Sequence, residues 1–133
     1  QLMFTNANGQ GWINLGDFNF QLAVGQRIVV TDPAGWSKDL VVGYVTFDQL
    51  NPDDDTTSGR TEPNGQLSIH VNTMFTNWGD RLSADINGNW VHDFGARGYD
   101  LSSNMWGSIW LQDTSMDFTE AGRVMSVGTA KAV

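Results

Sequence analysis

Gln66–Phe75 reads QLSIHVNTMF, and its alternation decides the fold. Leu67, Ile69, Val71 and Thr73 fall on one side, and Ser68, His70, Asn72 and Met74 on the other. A period of two belongs to a strand with one face buried and one face wet. Downstream, Arg81–Ile86 alternates again through Leu82, Ala84 and Ile86. Met105–Gln112 is bulky on both sides: Met105, Gly107, Ile109 and Leu111 on one, Trp106 and Trp110 around Ser108 on the other. Two residues four apart on a strand share a face and stand about 13 Å apart, so only one of these two faces is core.

Upstream, Asn51–Gly65 (NPDDDTTSGRTEPNG) has two Pro, two Gly and three consecutive Asp, and is expected to be a long exposed loop. Leu40–Phe47 is continuously apolar and suits a central strand covered on both faces. Gln26–Thr31 reads as a strand running into the turn Thr31-Asp32-Pro33-Ala34-Gly35, where Pro fixes φ and Gly takes the left-handed position. Asp17–Ala23 alternates Phe18, Phe20 and Leu22 with Asn19 and Gln21, a further half-buried strand. Gln1–Asn14 gives a short first strand and a turn carrying Trp12, and Arg123–Val127 a last strand before a fraying tail. Thr114–Ala121 suits a single helical turn, with Thr114 and Asp117 in capping-box positions and Gly122 ending it.

About eight strands with turn signals between them and no sustained helical period predict an all-β fold. The expectation is a jelly-roll-like β-sandwich forming one domain over residues 1–133, with a closed β-barrel as runner-up. The chain has 40% hydrophobic residues and no Cys, so a full core can form without disulfides and no thiolate zinc site exists. Fifteen acidic residues face seven basic ones, for a net charge of −8, and the Lys and Arg are scattered singly. That pattern offers no basic stripe to phosphates, so nucleic acid is excluded as a partner. No apolar run is long enough to span a bilayer as a helix, so no transmembrane segment is expected. Gln1 in place of Met is either the residue left by a removed signal peptide or the start of a trimmed piece, and the first leads us to expect a secreted or surface-displayed protein.

Thirteen of the fifteen acids are Asp, a residue that folds back on its own backbone in turns and also suits calcium loops. Asp85, Asn87, Asn89 and Asp93 place oxygen side chains at alternating positions and form the candidate calcium set, with hairpin turns as the alternative. Asn87-Gly88 is expected to form a type I′ turn. Asp53, Asp54 and Asp55 form a second candidate metal group. His92 and Asp93 are adjacent on a strand and point to opposite faces, so they make no catalytic dyad.

The tryptophans carry the functional reading. Trp12, Trp36, Trp78 and Trp90 all lie beside Gly, Asn or Asp in turn sequence. An indole face matches the C–H patch of a sugar ring, while Asn and Asp sort hydroxyl stereochemistry. The alternative is that each Trp is a lid over the end of the core. The candidate ligand-binding residues are Trp78, Asp80, Asn87, Asn89, Trp90 and Trp36, in a non-catalytic, lectin-like carbohydrate-binding domain. A structural subunit of an extracellular filament, virion or fibre, its aromatics meeting neighbouring copies, is the second expectation. A small β-barrel enzyme is the third. Gly25–Trp36, GQRIVVTDPAGW, resembles in a general way the strand-then-Gly-Trp start of some small bacterial galactose lectins, and no residue role is transferred from them.

Overall fold

The computed structural model describes Ala7 and residues 15–73, 75–102 and 104–124. Apart from Ala7, the expected first strand with Trp12 lies outside the described residues, as do the end of the expected last strand and the tail beyond it. Nine strands are formed: β1 Arg27–Thr31, β2 Ser37–Val41, β3 Gln49–Asn51, β4 Thr56–Arg60, β5 Gln66–Asn72, β6 Asn77–Ser83, β7 Asn89–Asp93, β8 Trp106–Gln112 and β9 Phe118–Val124. Two 3₁₀ turns, Leu15–Phe18 and Gly95–Arg97, are the only helical pieces among the described residues, and the nine strands are likewise those of the described residues. No helix among them is long and apolar enough to cross a membrane.

The strands make three antiparallel sheets, ordered β1-β2, β3-β4-β7 and β6-β5-β8-β9. None closes on itself, so the fold is an all-β sandwich and the barrel alternative is corrected. The four-stranded sheet is built on the alternation of Gln66–Asn72. Leu67, Ile69 and Val71 of β5 sit in register with Leu111, Ile109 and Gly107 of β8 and turn inward. There they meet Leu50, Phe47, Trp90 and Phe94 from the three-stranded side, with Leu101 and Met105 filling the end. Burying each large aliphatic side chain contributes about 1.5–3 kcal/mol.

Four expectations are corrected. Asn51–Gly65 is not one long loop, because it contains β4, the central strand of the three-stranded sheet. The Asp54 carboxylate accepts the Thr56 N–H and hydroxyl at 3.2 and 2.6 Å, and Asp55 takes φ 58°. The acids thus shape a tight turn, and Thr57 and Gly59 enter the interior. Leu40–Phe47 is not a central strand either. β2 ends at Val41, the Gly43 N–H donates to the Thr119 hydroxyl at 2.9 Å, and Val45 bridges Thr61 just beyond β4 of the three-stranded sheet.

Asp17–Ala23 forms a 3₁₀ turn followed by irregular chain, with Asn19 at φ 52°, and no strand pairs with it among the described residues. Thr114–Ala121 is the hairpin turn and first half of β9, not a helical turn. Asp113 Oδ1 accepts the N–H groups of Ser115 and Asp117 at 2.8 and 2.9 Å, after which β9 pairs with β8 along its whole length. In three of the four, tertiary contacts or an Asx turn overrode the local pattern, whereas Asp17–Ala23 has no neighbouring strand to pair with among the described residues.

Candidate functional site

The structure disperses the residues expected to bind. Trp90 is corrected: it is 1% exposed, and its Nε1–H donates to the Thr46 carbonyl at 3.1 Å. Phe47 packs edge-on against its ring at 5.4 Å. Gly59 lies under the indole, where a Cβ would stand 2.6 Å from the ring, so this Trp is the lid that the alternative described. Trp36 stands 56% exposed beside β2 on a separate sheet, its backbone N–H donating to Asp32 Oδ1 at 2.8 Å.

Asn87 and Asn89 belong to the β6–β7 turn. Asp85 Oδ1 accepts both their N–H groups, at 2.8 and 2.9 Å, and the Asn89 N–H above all holds that carboxyl below its ordinary value. Gly88 takes φ 79° while Asn87 keeps a negative φ, so the turn is not type I′. Asp93 lies at the far end of β7 and accepts the Ala96 N–H at 2.9 Å. Along a strand this separation is about 13 Å, so Asp85, Asn87, Asn89 and Asp93 do not converge. Among the described residues, no group of three or more His, Cys, Asp or Glu gathers closely enough to hold a metal ion.

Trp78 and Asp80 come together at the seam between the two larger sheets. Trp78 stacks on Tyr99 at 4.5 Å and 9°. Arg97 pairs with the Asp80 carboxylate, and His92 Nε2 lies 3.5 Å from the same oxygen, too long for a hydrogen bond. Burial pushes the imidazole below its ordinary value although Asp80 pulls the other way. His92 therefore meets a carboxylate across the seam and not its sequence neighbour, a pairing that no local pattern announces. The cluster ties β6 to β7 and reads as a structural clasp.

The open aromatic surface lies elsewhere, on the outer face of the four-stranded sheet. Register fixes its rows: Arg81, Ser68, Trp110 and Glu120 run across β6, β5, β8 and β9, and Gly79, His70, Ser108 and Gly122 run beside them. Asn77, Asn72 and Trp106 make the next row. Trp110 sits between His70, at a centroid distance of 5.1 Å, and Phe118, at 5.6 Å. Its buried Nε1–H has no acceptor, so ring packing and not a hydrogen bond sets the indole plane. Trp106 is 48% and Phe118 45% exposed.

Small residues give these rings their access. A Cβ on Gly79 would stand 2.8 Å from His70 Nδ1, so only Gly there lets the imidazole lie over β6. Ser108 and Gly122 leave a low floor between the two indoles. A groove of about 450 Å³ opens between Ser68, His70, Asp80, Arg81, Trp110 and Phe118. At the other end Phe75, 90% exposed, and Trp106 flank a further depression.

No protein-family model, curated protein or solved structure matches this chain. What the face binds has to be read from its own side chains. They offer aromatic rings in a row, hydroxyl and amide groups between them, Arg81 beside the Arg97-paired Asp80 at the β6 edge, and Glu120 at the β9 edge. The alternation of Met105–Gln112 puts Trp106 and Trp110 on one strand face, but the turn setting of the other tryptophans points to those as the binders. The available signal was the partner face: Ile109 and Leu111, with Gly107, make the better core, which leaves both indoles outside.

Proposed function

We propose that this protein is a non-catalytic carbohydrate-binding domain, and that its ligand lies along the outer face of the four-stranded sheet across Trp110 and Trp106. The observation that carries the reading is the row His70–Trp110–Phe118, ring beside ring on a solvent-facing sheet. Ring faces of this kind stack on the C–H face of a pyranose, and Ser68, Asn72, Gln112 and His70 supply donors and acceptors at the rim. Beyond Trp110, the exposed Trp106 and Phe75 extend the track, which favours a chain of several sugar rings over a single one. A glycan array tests this with the wild-type chain beside Trp110→Ala and Trp106→Ala. Binding that both substitutions abolish while the fold persists supports the proposal, and no binding to any glycan overturns it.

A second reading is favoured by one separate observation. Phe18, Phe20, Leu22 and Val24, with Val29, Val30 and Val41 of the β1–β2 hairpin, are all exposed. An isolated two-stranded hairpin is marginal in water, and this many exposed apolar side chains near one hairpin favour a partner that covers them. In this reading the chain is a subunit of a larger assembly and a second copy covers the hairpin. Light scattering after size exclusion separates the readings, because a monodisperse monomer at all concentrations removes the assembly role.

A further inference from the structure

The outer face carries a cation that the fold does not use. Among the described residues, Arg27 pairs with Asp39, Lys38 with Asp117 and Arg97 with Asp80, whereas the Arg81 guanidinium has no carboxylate partner. Arg81 is exposed on β6, in the row that leads through Ser68 to Trp110, and it lines the groove beside that ring. Two strand spacings separate it from Trp110, about 10 Å between backbones, so a ring resting on the indole presents its edge to the guanidinium.

We infer that the glycan held by this face bears carboxylates, with an acidic sugar seated on Trp110 and its carboxylate taken by Arg81. This rests on the carbohydrate reading and narrows it. The guanidinium fork matches a carboxylate bidentately, and charge-assisted bonds are among the strong ones. Glu120 closes the same row at the opposite edge, so an anionic group is repelled there and directed to the β6 side. With a net charge of −8 the chain as a whole repels anions. Beyond about 8 Å that repulsion is screened at physiological salt, which leaves the local cation to decide. Asp80 lines the same groove and its Oδ1 accepts the Arg81 backbone N–H at 2.8 Å, but its other carboxylate oxygen is paired with Arg97, which offsets its charge.

Isothermal titration calorimetry tests this with four probes: oligogalacturonate, its methyl ester, sialyllactose and cellohexaose. The expected result is binding of oligogalacturonate or sialyllactose, the two arms telling a uronic-acid chain from a terminal sialic acid. The methyl ester and cellohexaose should bind at least about tenfold more weakly, the equivalent of one charge-assisted hydrogen bond. Arg81→Gln should erase the difference between acid and ester, and Trp110→Ala should abolish binding of every probe. Equal affinity for acid and ester in the wild type, unchanged by Arg81→Gln, overturns the inference while the aromatic platform stands. Acid binding that survives Trp110→Ala also overturns it, since charge alone would then account for the contact. Binding of none of the four overturns this inference outright, and only an empty glycan array would overturn the platform reading with it.

Discussion

The two faces of the β5–β8 pair are built from the same strands and do opposite things. Inward, Leu67, Ile69, Val71, Ile109 and Leu111 are aliphatic and buried, and they hold the sandwich together. Outward, Ser68, His70, Trp106 and Trp110 put the larger rings where packing does not need them. Aliphatic side chains interdigitate well in a close-packed interior, while a flat ring on a wet face is free to stack on something else. Trp90 sharpens the contrast, because its sequence setting resembles that of the other turn tryptophans and yet it lies in the core with its N–H satisfied.

The inner face is broken most strongly by Trp90→Ala, which removes a fully buried indole and leaves its cavity. Chemical denaturation should show a loss of about 3–5 kcal/mol, with Ile69→Ala close behind at about 2–5 kcal/mol. The outer face should behave differently: Trp110→Ala is expected to cost about 1–3 kcal/mol of stability, mainly its ring contacts with His70 and Phe118, while removing glycan binding. A loss comparable to that of Trp90→Ala would mean that the outer row is structural.

Smaller effects come from the seam and the turn. Because the folded-state pKa of His92 lies below its ordinary 6.5, the unfolded chain binds its proton first as the solution is acidified. Stability from this group is therefore complete above 6.5 and declines as pH falls from there through the folded value, and His92→Gln should flatten denaturation midpoints over that window. Asp85 acts in the same direction lower down. Its folded-state pKa lies below 3.8, so its stabilisation is present above that value and is lost as pH falls through the folded value. The carboxylate is solvent-exposed, so Asp85→Asn should give the smallest change of the set, seen only at the acid end of the same titration.

The sheet core was legible because alternation alone specifies a half-buried strand: Gln66–Asn72 and Trp106–Gln112 fold as their patterns predict. The β1–β2 turn was legible from Pro33 and Gly35, the latter at φ 91°. Three consecutive Asp concealed β4, since turn chemistry and a threonine strand adjoin within five residues and the acids dominate the reading. Asp17–Ala23 shows the reverse error, for alternation without a neighbouring strand makes no sheet. The outer platform was half visible, as Trp106 and Trp110 share a face in any strand. Which face is core depends on what β5 presents across the ladder, a pairing the sequence does not print.

The most direct test follows the indole N–H resonances in ¹H–¹⁵N spectra during separate additions of oligogalacturonate and sialyllactose, read with whichever of the two binds. The account predicts that the signals of Trp110 and Trp106 shift in a saturable way while that of Trp90 stays in place. Saturable shifts confined to Trp36 or Trp78, with Trp106 and Trp110 unmoved, would contradict it.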